Sequence, residues 1–348
     1  FKLCCLGDIV FITVSVNALR RKYPDAEIVF AHTEWVTPLM EYVPGINGKI
    51  LFGKVYSSSP MIKLKGTLKF ISEARKKNFD MVFYGHRSSI FSFILMLCGI
   101  RYRLGFKGTW FLTHASEFDK EITEFKRYLN VLSSFGIESE EFYPALKTPR
   151  KDTARKKISS GKEPLLGIYP MGGVNPGTNM DIKRWEIENF YSLIKLINET
   201  LPAIKVIMFE GIHKHEKLMI PDGLAVLKET ISNDLISCCD YFISGDTGSL
   251  HIAAAMGVPT LSIFGPSDPN LLAPQNDPSS KVKHITIWKK AECSPCYLPD
   301  TAIDKSNKKF WHMNNFLCHT GTHVCMKSIT PDEVFEKFQE LIKINIKT

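Results

Sequence analysis

The sequence predicts an α/β protein made of two doubly wound, parallel-sheet domains. Three observations carry this. Short apolar runs alternate with amphipathic stretches along nearly the whole chain, the pattern of strands joined by crossover helices. The alternation breaks once, at residues 146–163 (LKTPRKDTARKKISSGKE), which are polar, basic and poor in apolar side chains. The length of 348 residues suits two domains of ordinary size. The expected division is 1–150 and 151–348, with 146–163 as the linker.

In the first domain, residues 2–6 (KLCCL) read as a strand. Val10 to Tyr23 has apolar residues at helical spacing and closes on Arg20, Arg21 and Lys22, cations that suit a helix C-terminus. Ala26 to Ala31 is the next strand, Glu34 to Tyr42 is helical, and Pro44-Gly45 stops it. A short strand (Lys49 to Phe52), a basic helix (Leu64 to Lys77) and a strand (Asp80 to Tyr84) follow. Ser88 to Cys98 is a helix and Tyr102 to Phe106 a strand. In the second domain the strands are Leu165 to Tyr169, Lys205 to Phe209, Tyr241 to Ser244 and Thr260 to Phe264. The helices are Ile187 to Asn198, Gly248 to Met256 and a closing Pro331 to Lys343. Two such domains are expected to face a central cleft, with ligand at the carboxyl ends of both sheets.

Composition narrows the class. Hydrophobic residues are 44% and charged residues 23%, which excludes disorder, collagen-like sequence and a small disulfide scaffold. The 44 Lys+Arg against 36 Asp+Glu leave +8, which favours anionic partners or serves solubility. The longest apolar stretch, Ile90 to Ile100, falls short of the roughly 20 residues that cross a bilayer and reads as a buried helix. No signal peptide is expected in the opening residues. Its first residue is Phe, so a few residues or a leader are expected to be missing. A cytoplasmic protein is expected, with peripheral contact at the inner membrane as a further expectation. Cys4, Cys5, Cys98, Cys238 and Cys239 sit in apolar runs, where core packing is the expected role.

The most specific segment is Tyr241 to Pro269. A strand ends at Ser244, Gly245 to Gly248 form a tight turn, and a small-residue helix follows. Free N–H groups and a positive dipole end at such a helix start suit a diphosphate; alternatively Asp246 simply caps the helix. His251 can point back toward the same turn or be structural. Asp8, after the first strand, is either an N-cap or a carboxylate available for proton transfer.

The block GDTGSLHIAAAMGVPTLSIFGPSDP strongly resembles the C-terminal motif of glycosyltransferase family 9, the bacterial heptosyltransferases that use ADP-heptose. Three further segments are similar to the family's in the same order: Gly7 to Val10 with the following ALRRKYPDAEI, Asp80 to Phe106, and Asp181 to Trp185 (DIKRW). The resemblance runs from residue 2 to about 330 and implies a GT-B fold of two Rossmann-like domains. It implies that Asp8 is the general base and that Lys183 faces the donor phosphates and stabilises the departing ADP. It implies that Thr247 and Gly248 grip phosphate, that Asp246 recognises sugar hydroxyls, and that His251 belongs to the donor site. Met171 and Gly172 are expected at the adenine and Glu216 at the ribose. Lys2 stands where the family usually has Arg, and Val14 where it has Pro. No Asp-x-Asp occurs in the chain, which points away from a metal held on the diphosphate and toward a metal-independent, inverting displacement with no catalytic cofactor.

Cys293, Cys296, Cys318 and Cys325 follow C-x2-C-x21-C-x6-C in a polar loop spanning 290–326. Such spacing can enclose a tetrahedral Zn or Fe in a structural site; free thiols or disulfides are the alternatives. Autotransporter-type protein heptosyltransferases, which the chain also resembles, carry an iron finger in this loop. The loop's low apolar content predicts that it needs the ion to become ordered. In the first half, Lys63, Arg87 and Arg103 are the candidate acceptor contacts, among the further cations Lys65, Lys69, Arg75, Lys76, Lys77, Arg101 and Lys107. These suit an acceptor bearing phosphates or acidic sugars, an anionic lipid surface, or no partner at all as a solvated helix face. The expected acceptor is a hydroxyl of the lipopolysaccharide inner core, with a protein serine as the alternative. Nothing resembles a nucleic-acid-binding module, so no nucleic acid is expected, and a sugar-nucleotide epimerase conflicts with DTGSLHIAAA.

Overall fold

A computed structural model describes residues 1–346 apart from 4, 56, 138–141, 150–154, 157, 159–162, 176 and 213–215. Cys4 and most of the expected linker therefore lie outside the described residues. Two compact units are present, Phe1–Lys147 and Thr148–Thr348.

The first unit carries two parallel pairings on either side of its opening residues. Strands β1 (Val29–His32) and β2 (Gly48–Leu51) form one. Strands β3 (Met81–Phe83), β4 (Tyr102–Phe106) and β5 (His114–Ser116) form the other. The expected strand over 2–6 is corrected. Residues 1–3 are not a regular strand, yet Lys2 N–H donates to Ala31 O at 3.2 Å and Gly85 N–H donates to Phe1 O at 3.1 Å. They join the two pairings into the order β2–β1–(1–3)–β3–β4–β5. Helix α1 (Leu6–Lys22) begins at Leu6 rather than Val10, so Asp8 lies inside its first turn.

Helices α2 (Pro60–Lys77) and α3 (Ser89–Leu97) pack together through a core that includes Phe70, Ile94 and Leu95. Helix α1 packs instead on α4 (Glu124–Ser133), which the sequence reading missed. In α4, Phe125, Tyr128, Leu129 and Leu132 recur at helical spacing and are buried. The expected buried helix at Ile90–Ile100 is buried on one face only: Ile94 and Leu95 are buried, whereas Ile90 is 72% and Phe93 40% exposed.

The second unit is built on β6 (Leu165–Tyr169), β9 (Lys205–Glu210), β10 (Leu227–Thr230), β11 (Tyr241–Gly245), β12 (Thr260–Phe264) and β13 (Ile285–Trp288). All pair in parallel, in the order β10–β9–β6–β11–β12–β13. This is the doubly wound order, and its direction reverses between β6 and β11, where the connections leave the sheet on opposite faces and open a crevice. Helix α5 (Ile187–Thr200) buries Phe190, Leu193, Ile194 and Ile197 against the closing helix over Pro331–Ile346, which buries Val334, Phe338 and Leu341.

A small sheet made of β7 (Val174–Asn175), β8 (Thr178–Asn179), β14 (Trp311–His312) and β15 (Asn315–Phe316) ties the cysteine loop to the segment after β6. Met180, Trp311 and Phe316 are buried together beside Cys296, Tyr297 and Phe310. The expectation that this loop lacks apolar content is therefore corrected, since it has a small core of its own. Among the described residues, no helix is long and apolar enough to cross a membrane.

Candidate active site

The reversal between β6 and β11 brings together two turns far apart in sequence. Gly172 follows β6 at φ +114°, and a Cβ there would collide with the Thr247 methyl group at the end of β11. Only glycine permits this close approach with that backbone. Arg184 Nε donates to Gly172 O at 2.9 Å and holds the turn. Met171 packs on the main core. Glu216 is buried against Gly211, just past the end of β9, the neighbour of β6.

Thr247, not Asp246, is the N-cap of α7 (Gly248–Ala255): its hydroxyl accepts from Leu250 N–H at 3.2 Å and pairs with Ser244 at 3.0 Å. The alternative in which Asp246 merely caps the helix is excluded. Its carboxylate is buried and accepts from Lys183 Nζ at 2.5 Å and from Ser267 Oγ at 2.6 Å. His251 Nε2 stands 3.6 Å from the other carboxylate oxygen. Burial works against the ionised form, but the Lys183 ammonium and the His251 side chain outweigh it and hold the Asp246 carboxyl far below the ordinary carboxylate range.

Lys183 is likewise buried. It ends a short 3₁₀ turn, Asp181–Lys183, and its Nζ lies 4.1 Å from the centre of the Tyr297 ring. Trp185 of the same segment is core, with Nε1 donating to Ile329 O at 2.9 Å. A buried cation, a paired carboxylate and the capped start of α7 thus share one sheet edge, an arrangement suited to holding a diphosphate.

Two participants were missed. Ser267 lies in the turn that closes β12, the neighbour of β11, so the strand order marks it. Tyr297 carries no local signal. It reaches Lys183 because Cys296 and Tyr297 N–H both donate to Pro266 O at 2.9 Å, anchoring the cysteine loop on the Ser267 turn.

Cys293, Cys296, Cys318 and Cys325 line one small cavity together with His319 and His323. Burial and the neighbouring thiols push Cys296 and Cys325 up to about 11. At Cys318 burial is overcome by hydrogen bonds from Thr320 and from the His323 backbone, and the thiol is lowered. Among the described residues, no three His, Cys, Asp or Glu side chains are arranged as ligands of a metal ion. No disulfide joins the described cysteines. The donor set fits a soft ion in its chemistry, four thiols lining one cavity, but not in its side-chain arrangement.

In the first unit, Asp8 does not cap α1. It sits in the helix's first turn, about one-third exposed, and pairs with the buried Lys2 at 2.9 Å. Lys2 also donates to Gly85 O at 2.9 Å, which fixes the ammonium. Arg87 stacks on Phe118 at 3.9 Å. Arg103 spends hydrogen bonds on the carbonyls of Phe111, Ile100 and Arg101. Lys63 is exposed in the first turn of α2. Asp8, Arg87, Arg103 and Lys63 are thus held by separate elements of this unit.

The family model for glycosyltransferase family 9 (heptosyltransferase) matches residues 67–302, more than half of the chain. The lipooligosaccharide heptosyltransferase 2 of Campylobacter jejuni is 24% identical over 97% of this chain and 96% of its own. Among solved structures, the ADP-heptose lipopolysaccharide heptosyltransferase II of Escherichia coli superposes with a TM-score of 0.73 at 19% identity, covering 98% of both chains. The glycosyl transferase family 9 protein of Veillonella parvula reaches 0.77 at 17% identity, covering 100% of this chain and 96% of its own. These likenesses make the fold GT-B. With a family match of that extent over a doubly wound sheet whose switch point carries the motif, the chain belongs to glycosyltransferase family 9, the heptosyltransferases, and is a sugar-transferring enzyme.

Proposed function

We propose that this enzyme moves a heptose from ADP-heptose to a hydroxyl of the lipopolysaccharide inner core, with inversion and without a catalytic metal. The observation that carries the reading is the buried Lys183–Asp246 pair beside the start of α7, at the switch point of the sheet. The acceptor oxygen attacks the anomeric carbon, the bond from that carbon to the β-phosphate oxygen breaks, and Asp8 takes the acceptor proton. ADP leaves with an added negative charge, which Lys183 and the N–H groups at Thr247 and Gly248 stabilise. Asp246 fixes Lys183 and meets sugar hydroxyls beside His251. Met171 and Gly172 border the adenine, and Glu216 meets the ribose. Lys63, Arg87 and Arg103 serve an acidic acceptor. A protein serine is the less favoured acceptor, because the similar curated proteins are named for lipooligosaccharide and lipopolysaccharide.

The test is transfer from ADP-heptose to delipidated core oligosaccharide, followed by mass spectrometry, with and without EDTA. A heptose-bearing product with the anomeric centre inverted is expected, at a rate that EDTA leaves unchanged. Loss of activity in EDTA that Mg²⁺ restores would overturn the metal-independent step. Transfer only to protein would overturn the acceptor.

The four cysteines are proposed to bind one structural Zn or Fe. Burial and the neighbouring thiols raise Cys296 and Cys325, and a divalent ion would relieve that repulsion. The ion would brace the loop that carries Tyr297, with no part in the displacement. Protein purified without chelator should contain close to one equivalent. Cys318→Ser should lose it and melt several degrees lower, with only partial loss of order because Trp311 and Phe316 retain their core. Four titratable thiols in a metal-free protein of unchanged thermal midpoint would refute the site.

A further inference from the structure

The first unit exposes large apolar side chains in two places on neighbouring helices. On α2, Met61, Leu64 and Leu68 recur at i, i+3 and i+7, and each is more than half exposed. This forms an apolar stripe on the outer face, and Lys63, Lys65 and Lys69 are interleaved with it. On α3, Ile90 and Phe93 point outward beside Trp110, 71% exposed, and Phe111 of the turn after β4. That turn is held firmly. Trp110 N–H donates to Ser89 Oγ at 3.1 Å, and Ser92 Oγ donates to Trp110 O at 2.7 Å. The Phe93 and Phe111 rings lie 5.1 Å apart. A tryptophan so anchored faces solvent by construction.

Charge identifies the partner. Lys63, Lys65 and Lys69 stand on α2 and Arg101 and Lys107 flank the Trp110 turn, while the neighbouring acids Glu73 and Glu117 pair with Lys69 at 3.7 Å and with Lys107 at 2.5 Å, so cations are in excess. Exposed apolar area of this extent is uncommon on a protein that meets only water. Aromatic and aliphatic side chains mixed with an excess of cations match the interface of an anionic bilayer, where rings sit at headgroup depth and ammonium groups meet phosphate. A second copy of this face would set cations against cations.

We propose that the outer face of α2 and α3, with the Trp110–Phe111 turn, docks on an anionic lipid surface. This goes beyond the acceptor reading and does not depend on it.

The test is flotation of the full chain with vesicles of phosphatidylcholine, alone or mixed with phosphatidylglycerol, at low and high salt. Binding is expected only to the mixed vesicles and to weaken with salt. Trp110→Ser, and separately Leu64→Ser with Leu68→Ser, should each lower affinity about tenfold or more. Lys65→Gln with Lys69→Gln should lower it by a similar factor and flatten the salt dependence. Trp110→Ser should leave transfer to soluble oligosaccharide unchanged, which separates this face from the reaction. Equal binding to both vesicle types, or unchanged binding by the variants, would overturn the proposal. So would absence of flotation together with a dimer that Leu64→Ser with Leu68→Ser dissolves, since the occupant would then be a second copy.

Discussion

Replacing Asp8 with Asn is expected to lower kcat by about 10²–10⁴ and to leave ADP affinity unchanged. Asn keeps the shape of the side chain at the start of α1 but cannot accept the acceptor's proton. The structural cost is small, because Asp8 is partly exposed and Lys2 keeps its bond to Gly85 O. Steady-state kinetics beside calorimetric titration of ADP would check it. A folded Asp8→Asn protein with near-wild-type turnover would remove Asp8 from the reaction.

Lys183→Ala should act on both stability and catalysis. It leaves the Asp246 carboxylate buried without its cation, a loss of about 3–5 kcal/mol. On the proposed mechanism it also removes the charge that meets the leaving diphosphate, lowering kcat by about 10²–10³ and weakening ADP binding. The double variant Lys183→Met with Asp246→Asn separates the two effects. Its stability should return most of the way, since no charge is left buried alone, whereas ADP affinity should stay low. Unchanged ADP affinity in a folded double variant would contradict the assigned role. The pair also predicts a pH dependence. Folding holds the Asp246 carboxyl below its unfolded value, so its contribution is complete above pH ~4. It is lost as pH falls from there toward the folded value. Wild-type protein should lose stability in that acidic range more steeply than the double variant.

Most strands and helices were legible because their signals are local. Leu165–Tyr169 and Thr260–Phe264 are apolar runs bounded by polar turns, and α5 shows its period within its own residues. Helix α4 and strands β5, β10 and β13 were not read. β5 is three residues long, with no span over which a period can appear, and Glu124–Ser133 mixes Lys126, Arg127 and Asn130 among its apolar positions. The start of α1 was misplaced because KLCCL is apolar enough for a strand, whereas only Phe1 to Leu3 meet neighbouring strands.

The candidate site divides in the same way. Its residue types were visible in the sequence: a Gly-Asp-Thr-Gly turn before a small-residue helix, a lysine ahead of a tryptophan, an aspartate early in the chain, four spaced cysteines. What each side chain does was decided by tertiary structure. Asp246 pairs with Lys183 instead of capping α7 because β6 and β11 are neighbours, and strand order is not encoded in either strand alone. Ser267 joins them because β12 lies next to β11. Tyr297 reaches Lys183 because two backbone bonds to Pro266 fold the cysteine loop back onto that turn. Sequence alone determined the chemistry on offer and the periodicities that build each layer, since both reside in local runs of side chains. Which buried charge meets which partner depends on contacts between residues far apart in the chain, and only the packed sheet fixes those.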